Sequence, residues 1–121
     1  MRNIDFKLFI ALSILLLAVR LLFISNTLLI NDEAYYAIYA RHLAWGYVDH
    51  GPVIAYLIKF FTLIWENSFT VRLGATTLMT ILTFVLYHFG KKYFNTQVGI
   101  ILSLSITSNM LFHTNSIVIT P

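Results

Sequence analysis

The stretch "LFIALSILLLAVRLLFISNTLLI", Leu8 to Ile30, decides the fold. It is apolar over at least the roughly 20 residues that a helix needs to cross the hydrocarbon core of a bilayer. Arg2 and Lys7 precede it, as basic residues precede the apolar region of a signal peptide. The stretch is longer than such a region, ends without a small-x-small pattern and carries Arg20 inside. We therefore predict an uncleaved first transmembrane helix.

The composition of the whole chain also indicates a membrane protein. Of its 121 residues, 59% are hydrophobic and 11% are charged, too few polar residues to cover a soluble domain of this size. The net charge of +3 forms no basic stripe that would bind nucleic acid, and positive-inside topology explains it more simply. The chain has no cysteine, which excludes disulfides and thiolate metal sites.

Two further apolar runs complete the predicted topology. We expect an all-α polytopic membrane protein with about three transmembrane helices, at residues 8–30, 69–90 and 98–115. The segment 31–68 forms an outer loop, and residues 1–121 form a single membrane-embedded segment.

Basic residues in the short connections predict the orientation. Arg2 and Lys7 precede the first span, and Lys91 and Lys92 lie between the second and the third. These two ends share one side of a three-span protein, which the positive-inside rule makes cytoplasmic. The N-terminus is therefore predicted inside the cell and the long loop outside it.

The outer loop is itself rich in apolar residues. Ala34–Trp45 and Val53–Glu66 are too short to span a bilayer, and both have the pattern of amphipathic helices that lie in the membrane interface. Asn31 is expected to cap the first of them. The turn "GYVDHGP" joins the two helices.

Asp32 and Glu33 stand at the start of the first interfacial helix. Acidic side chains in a first turn favour the positive end of the helix dipole, and this role alone accounts for their position. The same geometry suits catalysis, because a carboxylate at the outer membrane surface can act as general base on an incoming hydroxyl or amine. Spacing does not separate these two interpretations.

The pair Asp49-His50 also has two interpretations. With Gly51 and Pro52 it makes a turn that leads into the next helix, with Pro at the first helical position. Alternatively, His50 donates a hydrogen bond to a phosphate or a sugar. No motif for nucleotide, serine-nucleophile or zinc chemistry occurs, and the histidines are too scattered to predict a metal site.

Four basic residues fall on or near the outward side: Arg20, Arg41, Lys59 and Arg72. Such cations beside carboxylates would suit an anionic phosphate leaving group. The alternative is a set of interfacial anchors and ion pairs, for example Arg20 with Asp32. Arg20 lies deeper in its span than a residue that snorkels to the interface.

The order of these features resembles a known family. A first span with a late Arg, then "NDEAYYAIYARHLAWGYVDHGPVIAYLIKFF", then "VRL" opening the second span, is similar to the N-terminal part of the C-superfamily membrane glycosyltransferases. The closest type is the dolichyl-phosphate-mannose–protein mannosyltransferases, which include the bacterial lipid A aminoarabinose transferases. The resemblance covers nearly the whole chain and is strongest from Asp32 to Leu73.

The resemblance implies a function and a set of site residues. Such enzymes transfer a sugar from a polyprenyl-phosphate-linked donor to a lipid or protein acceptor on the extracytoplasmic face, here of a bacterial inner or plasma membrane. Asp32 would be the catalytic base and Glu33 would support it. No cofactor or metal is implied. The substrate-binding residues would be Arg72 as the best phosphate match, Arg41 and Lys59 as weaker ones, and Asp49, His50 and Tyr35.

Two departures from the family pattern matter. Gly51 stands where the family usually has the first of two prolines. The final "IVITP" resembles a Thr-Pro element that the family normally follows with a second acidic residue, so we expect an N-terminal portion of a larger transferase that is inactive alone. The alternative hypothesis is a small non-enzymatic membrane protein that assembles with others through the hydroxyl residues of its third span, Ser103, Ser105, Thr107 and Ser108.

Overall fold

The structure is a computed structural model that describes residues 2–48 and 50–119, and all regular elements in these ranges are helices. The predicted all-α fold is therefore confirmed. The helices are α1 Arg2–Asn26, α2 Asn31–Arg41, α3 Val53–Phe61, α4 Ser68–Tyr93, α5 Thr96–Ser108 and α6 Met110–Asn115.

Two helices are long and apolar enough to cross a membrane. They comprise the 21 residues Phe6–Asn26 of α1 and the 26 residues Ser68–Tyr93 of α4. The third predicted span is divided, since α5 has 13 residues and the chain bends at Asn109 before α6. The Asn109 side chain accepts a hydrogen bond from Leu111 N–H at 3.1 Å and so begins a new helix. A continuous third span remains a prediction.

The first helix ends at Asn26, four residues earlier than predicted. Side chains at its end return to the backbone of the last turn: Asn26 Nδ2 donates to Leu22 O at 2.7 Å and Thr27 Oγ1 donates to Phe23 O at 2.9 Å. The following residues up to Ile30 are not helical. Their carbonyl groups are thus free to accept hydrogen bonds from elsewhere in the chain.

The two helices of the outer loop form, but with other bounds than predicted. The N-cap of α2 is Ile30, and Asn31 is already the first helical residue, so the predicted Asn31 cap is wrong. The Ile30 N–H donates to the Glu33 carboxylate at 3.0 Å, and this side chain replaces a cap. Helix α3 stops at Phe61, well before Glu66.

A tyrosine ends α2 at Arg41, before the predicted Trp45. The Tyr47 hydroxyl lies 2.9 Å from Tyr39 O and 3.0 Å from His42 O, and it accepts from Ala44 N–H at 3.1 Å. These contacts replace the hydrogen bonds that another turn of helix would make. The Tyr47 ring also stacks on the Tyr39 ring, with centroids 3.9 Å apart.

Helix α3 is amphipathic, as predicted. Its Ala55 and Ile58 are fully buried, whereas Val53 and Phe60 are exposed. The exposed apolar surface continues after the helix with Leu63, Ile64 and Trp65. This arrangement suits a helix that lies in the membrane interface, and that placement remains a prediction.

Helices α4 and α5 form a tight antiparallel hairpin. Gly90 and Gly99 face each other, and a Cβ on Gly99 would lie 2.5 Å from Tyr87 O. Only residues without a side chain permit this approach.

A small buried cluster joins α2, α3, α4 and the segment after α6. Its members are Tyr36, Ala40, Ile58, Val71 and Ile119. It packs the middle and end of α2 against α3 and the start of α4, and the candidate site adjoins it.

Candidate active site

A buried ion pair joins α2 to α4. Glu33 is 0% exposed and Arg72 is 1% exposed. Arg72 Nε donates to Glu33 Oε1 at 2.7 Å, and Arg72 Nη2 donates to Glu33 Oε2 at 2.5 Å. This two-point geometry is the strongest arrangement that an arginine and a carboxylate adopt.

Two backbone amides complete the surroundings of Glu33. Ile30 N–H donates to Oε2 at 3.0 Å, and Ile119 N–H donates to Oε1 at 2.9 Å. Burial alone would raise the pKa of Glu33, but the hydrogen bonds from Arg72, Ile119 and Ile30 and the arginine charge outweigh it and lower the pKa. Glu33 is therefore an ionised carboxylate whose four acceptor positions are all occupied.

Arg72 is equally well satisfied. Besides Glu33, it donates from Nη1 to Thr27 O at 3.1 Å and to Thr27 Oγ1, and from Nη2 to Leu28 O at 2.8 Å. All five N–H groups of the guanidinium are engaged within the protein. In this arrangement Arg72 positions the chain between α1 and α2, and it has no donor left for a phosphate.

Asp32 differs from its neighbour in its exposure and in its partners. Its side chain is exposed, and it makes no ion pair with another residue of the described ranges. Its charge acts on Tyr36, one helical turn further on: burial raises the pKa of Tyr36, and the nearby Asp32 charge raises it further. Asp32 is thus the accessible carboxylate of the pair, and Glu33 is the internal one.

The aromatic residues of α2 follow Asp32 on the same helix, and His50 contacts one of them. Tyr35 is 56% exposed and its ring meets the Tyr39 ring edge-on, with centroids 5.2 Å apart. The His50 ring meets the buried Tyr36 ring edge-on at 5.1 Å. His50 is therefore placed beside the middle of α2, while Asp49 lies outside the described residues. The sequence analysis missed Tyr36, although its position four residues after Asp32 indicates the same side of the helix.

Arg41 and Lys59 lie away from Asp32. Arg41 follows Asp32 by nine residues, which is about 14 Å along the helix axis. It pairs with Glu66 at 2.5 Å on the exposed surface, and Lys59 lines the same hollow between α2 and α3. The structure therefore groups Arg41 and Lys59 with Glu66 and shows no ion pair of either cation with Asp32 or Glu33.

Arg20 is buried in α1, and the ion pair that we considered between Arg20 and Asp32 is not formed. Arg20 instead makes a long contact with His113, whose Nδ1 lies 3.5 Å from Arg20 Nη2. The acidic and histidine side chains of the described ranges form no group that could hold a metal ion.

These features define a class: an all-helical membrane protein with an exposed carboxylate next to a buried ion pair, at the ends of its long helices. The chain matches the dolichyl-phosphate-mannose-protein mannosyltransferase family over residues 49–121. Because this is more than half of the chain, the protein belongs to that family of mannosyltransferase-like glycosyltransferases. No curated protein and no solved structure matches it. The match includes Arg72 and His50, whereas Asp32 and Glu33 lie outside the matched residues.

Proposed function

We propose that the chain carries the catalytic base of a glycosyltransferase that transfers a sugar from a polyprenyl-phosphate-linked donor to a lipid or protein acceptor. The observation that supports this most directly is the contrast between two adjacent carboxylates. Glu33 is buried and saturated by hydrogen bonds, whereas Asp32 is exposed beside it. A rigid support below an accessible base is what general base catalysis requires.

In the proposed reaction, Asp32 removes the proton from an acceptor hydroxyl or amine. The acceptor atom forms a bond to the anomeric carbon of the sugar, and the bond from that carbon to the phosphate oxygen breaks with its electron pair on the phosphate. Glu33 and Arg72 act through Asp32 by fixing the first turn of α2 against α4. They are positioning residues rather than ligands of the substrate.

The substrate contacts follow from the same geometry. Tyr35 is exposed on α2 and His50 contacts Tyr36 of the same helix, so these two residues are our candidates to contact the sugar or its phosphate. Asp49 precedes His50 and remains a candidate on sequence grounds. Arg41 and Lys59 lie further along α2 and α3, where they could reach only a distant part of a large substrate or a lipid head group.

The topology is part of the proposal. We place the N-terminus in the cytoplasm, the start of α2 at the extracytoplasmic surface, and α2 and α3 in contact with membrane lipids there. The location of Lys91 and Lys92 at the opposite end of α4 from Arg72 supports this orientation. A multi-pass protein of a bacterial inner or plasma membrane fits this arrangement.

The test uses Asp32→Asn in the protein expressed from its own gene in its own membranes, so that any further part of the enzyme is present. We expect transfer of labelled sugar from polyprenyl-phosphate mannose to the lipid or protein fraction to fall by at least the 10²-fold that a lost general base costs. Glu66→Gln is the matched control, because it also neutralises one acid, in an exposed pair worth at most about 1 kcal/mol. Unchanged transfer by Asp32→Asn at equal expression would remove Asp32 from the mechanism.

The alternative of a non-enzymatic assembly protein receives less support. Of the four hydroxyl residues that could contact partner helices, Ser103 and Thr107 are buried within the chain itself. Each donates to a carbonyl of its own helix, at 2.8 Å for Ser103 and 3.0 Å for Thr107.

A further inference from the structure

An open cleft lies between the end of α1 and the start of α4. Its volume is about 410 Å³, within the range of roughly 300–1,000 Å³ that is usual for small-molecule sites. Amide and hydroxyl side chains line both of its walls: Ser25, Asn26 and Thr27 at the end of α1, and Asn67 and Ser68 at the start of α4. The described lining residues include no charged side chain. The cleft therefore suits a neutral ligand.

The two asparagines are each held at one end of the side-chain amide and free at the other. Asn26 Nδ2 donates to Leu22 O at 2.7 Å and to Ser25 Oγ at 3.1 Å, whereas its Oδ1 makes no hydrogen bond in the described part of the chain. Asn67 Oδ1 accepts from Thr70 N–H at 2.8 Å, whereas its Nδ2 makes no hydrogen bond there. One wall thus offers an acceptor and the other a donor, and each is held in place by its own helix.

The other lining groups add to this pattern. The Ser68 hydroxyl, which can both donate and accept, also makes no hydrogen bond within the described ranges. Leu28 and Phe69 add apolar surface beside the polar groups. A sugar ring has the same two features, because its hydroxyl groups donate and accept while its C–H groups form apolar faces. The lining of the cleft is therefore complementary to a sugar.

The cleft is connected to Glu33 through Arg72. The guanidinium donates to Thr27 O at 3.1 Å and to Leu28 O at 2.8 Å, both in residues that line the cleft, and it also binds the Glu33 carboxylate. Asp32 directly precedes Glu33, so the cleft and the exposed carboxylate both adjoin one ion pair. A sugar in the cleft would lie at the same end of the protein as Asp32.

We propose that this cleft is a binding site for a neutral sugar ring, with Asn26 Oδ1, Asn67 Nδ2 and the Ser68 hydroxyl as its hydrogen-bonding groups. The bound ring belongs either to the lipid-linked donor or to a glycan of the acceptor, and the two share the same chemistry. A part of this site in sugar transfer rests on the proposed function, whereas the binding of a sugar does not.

The test is saturation-transfer difference NMR on the full chain in lipid nanodiscs, with irradiation of the aromatic protein resonances. The probes are the methyl glycosides of mannose, glucose, galactose and xylose. We expect at least one of them to receive saturation from the wild type and not from empty nanodiscs. A titration of that glycoside then gives its dissociation constant.

Asn67→Ser is the decisive variant, because serine still caps α4 but provides no amide group. We expect the dissociation constant to rise roughly threefold to tenfold, as for the loss of one hydrogen bond. Asn95→Ser is the matched control, since Asn95 caps α5 in the same way, by accepting from Val98 N–H at 2.9 Å, at the other end of α4. This variant should bind the glycoside as the wild type does.

Unlabelled polyprenyl-phosphate mannose distinguishes the two sources of the sugar. Displacement of the glycoside assigns the cleft to the sugar of the donor, and continued binding assigns it to a glycan of the acceptor.

Two results would overturn the proposal. One is a wild-type protein that transfers saturation to none of the four glycosides. The other is an equal dissociation constant for the wild type and Asn67→Ser. Asp32→Asn separates this proposal from that of the catalytic base, because it should lose sugar transfer and still bind the glycoside.

Discussion

At the scale of single residues, Asp32 and Glu33 show how two adjacent carboxylates acquire different chemistry. Both belong to the first turn of α2, where the helix dipole favours negative charge. Only Glu33 points into the protein, where Arg72 and two backbone amides hold it. The side chain of Asp32 is exposed on the protein surface. The fold has thus separated a buried carboxylate from an exposed one within two consecutive positions.

The Glu33–Arg72 pair gives a stability prediction. Glu33→Gln should lower the free energy of unfolding by about 3–5 kcal/mol, because it leaves the buried Arg72 charge unpaired. The double variant Glu33→Gln/Arg72→Gln should recover part of this loss, since no buried charge remains. Thermal unfolding of the purified protein in detergent measures both. The pairing would be contradicted if the double variant lost at least as much unfolding free energy as the two single variants lose together.

The same pair predicts a pH dependence. The pKa of Glu33 is lower in the folded protein than in the unfolded chain, where a glutamate has a value of about 4.3. The stabilisation from its charge is therefore complete above that value and is lost as the pH falls through the folded-state pKa. We expect the unfolding temperature of the wild type to fall more steeply below about pH 4 than that of Glu33→Gln. Parallel pH profiles for the two proteins would be the opposing result.

At the scale of elements, the α4–α5 hairpin depends on its two glycines. Replacing Gly99 with Ala places a Cβ 2.5 Å from Tyr87 O and 3.0 Å from Lys91 N, both backbone atoms that side-chain motion cannot relieve. The better helix propensity of Ala contributes only about 1 kcal/mol. We expect the steric term to dominate and Gly99→Ala to destabilise the protein by about 1–3 kcal/mol.

Gly46→Ala is the matched control for that variant, because a Cβ there meets nothing within 4 Å and its φ is not positive. The measurement is the fraction of protein that remains monodisperse in size-exclusion chromatography after heating. Equal heat resistance of Gly99→Ala and the wild type would show that the hairpin is looser than the structure describes.

At the scale of the whole molecule, the long apolar runs predicted the helical fold and the approximate limits of α1 and α4. The ends of the helices were harder to predict, because side-chain contacts decide them. Asn26 and Thr27 end α1 through bonds to their own backbone, and Tyr47 ends α2 through a contact with residues that precede it. Composition and periodicity contain no information on such contacts.

The arrangement of the candidate site could be predicted only in part, again because side-chain contacts decide it. Asp32 and Glu33 stood out because carboxylates are rare in so apolar a chain. The motif suggested Arg72 as a phosphate ligand, but the structure engages all its donors with Thr27, Leu28 and Glu33. A pairing between residues 39 positions apart follows from tertiary packing, which no local pattern encodes.

The hydrogen bond from Ile119 N–H to Glu33 has a consequence for biosynthesis. It joins residues 86 positions apart, so the environment of Glu33 is incomplete until Ile119 has been made. Arg72 is made earlier than Ile119, and its own partners Thr27, Leu28 and Glu33 precede it in the chain. We therefore expect the ion pair to form early in biosynthesis and the hydrogen bond from Ile119 to complete its surroundings late.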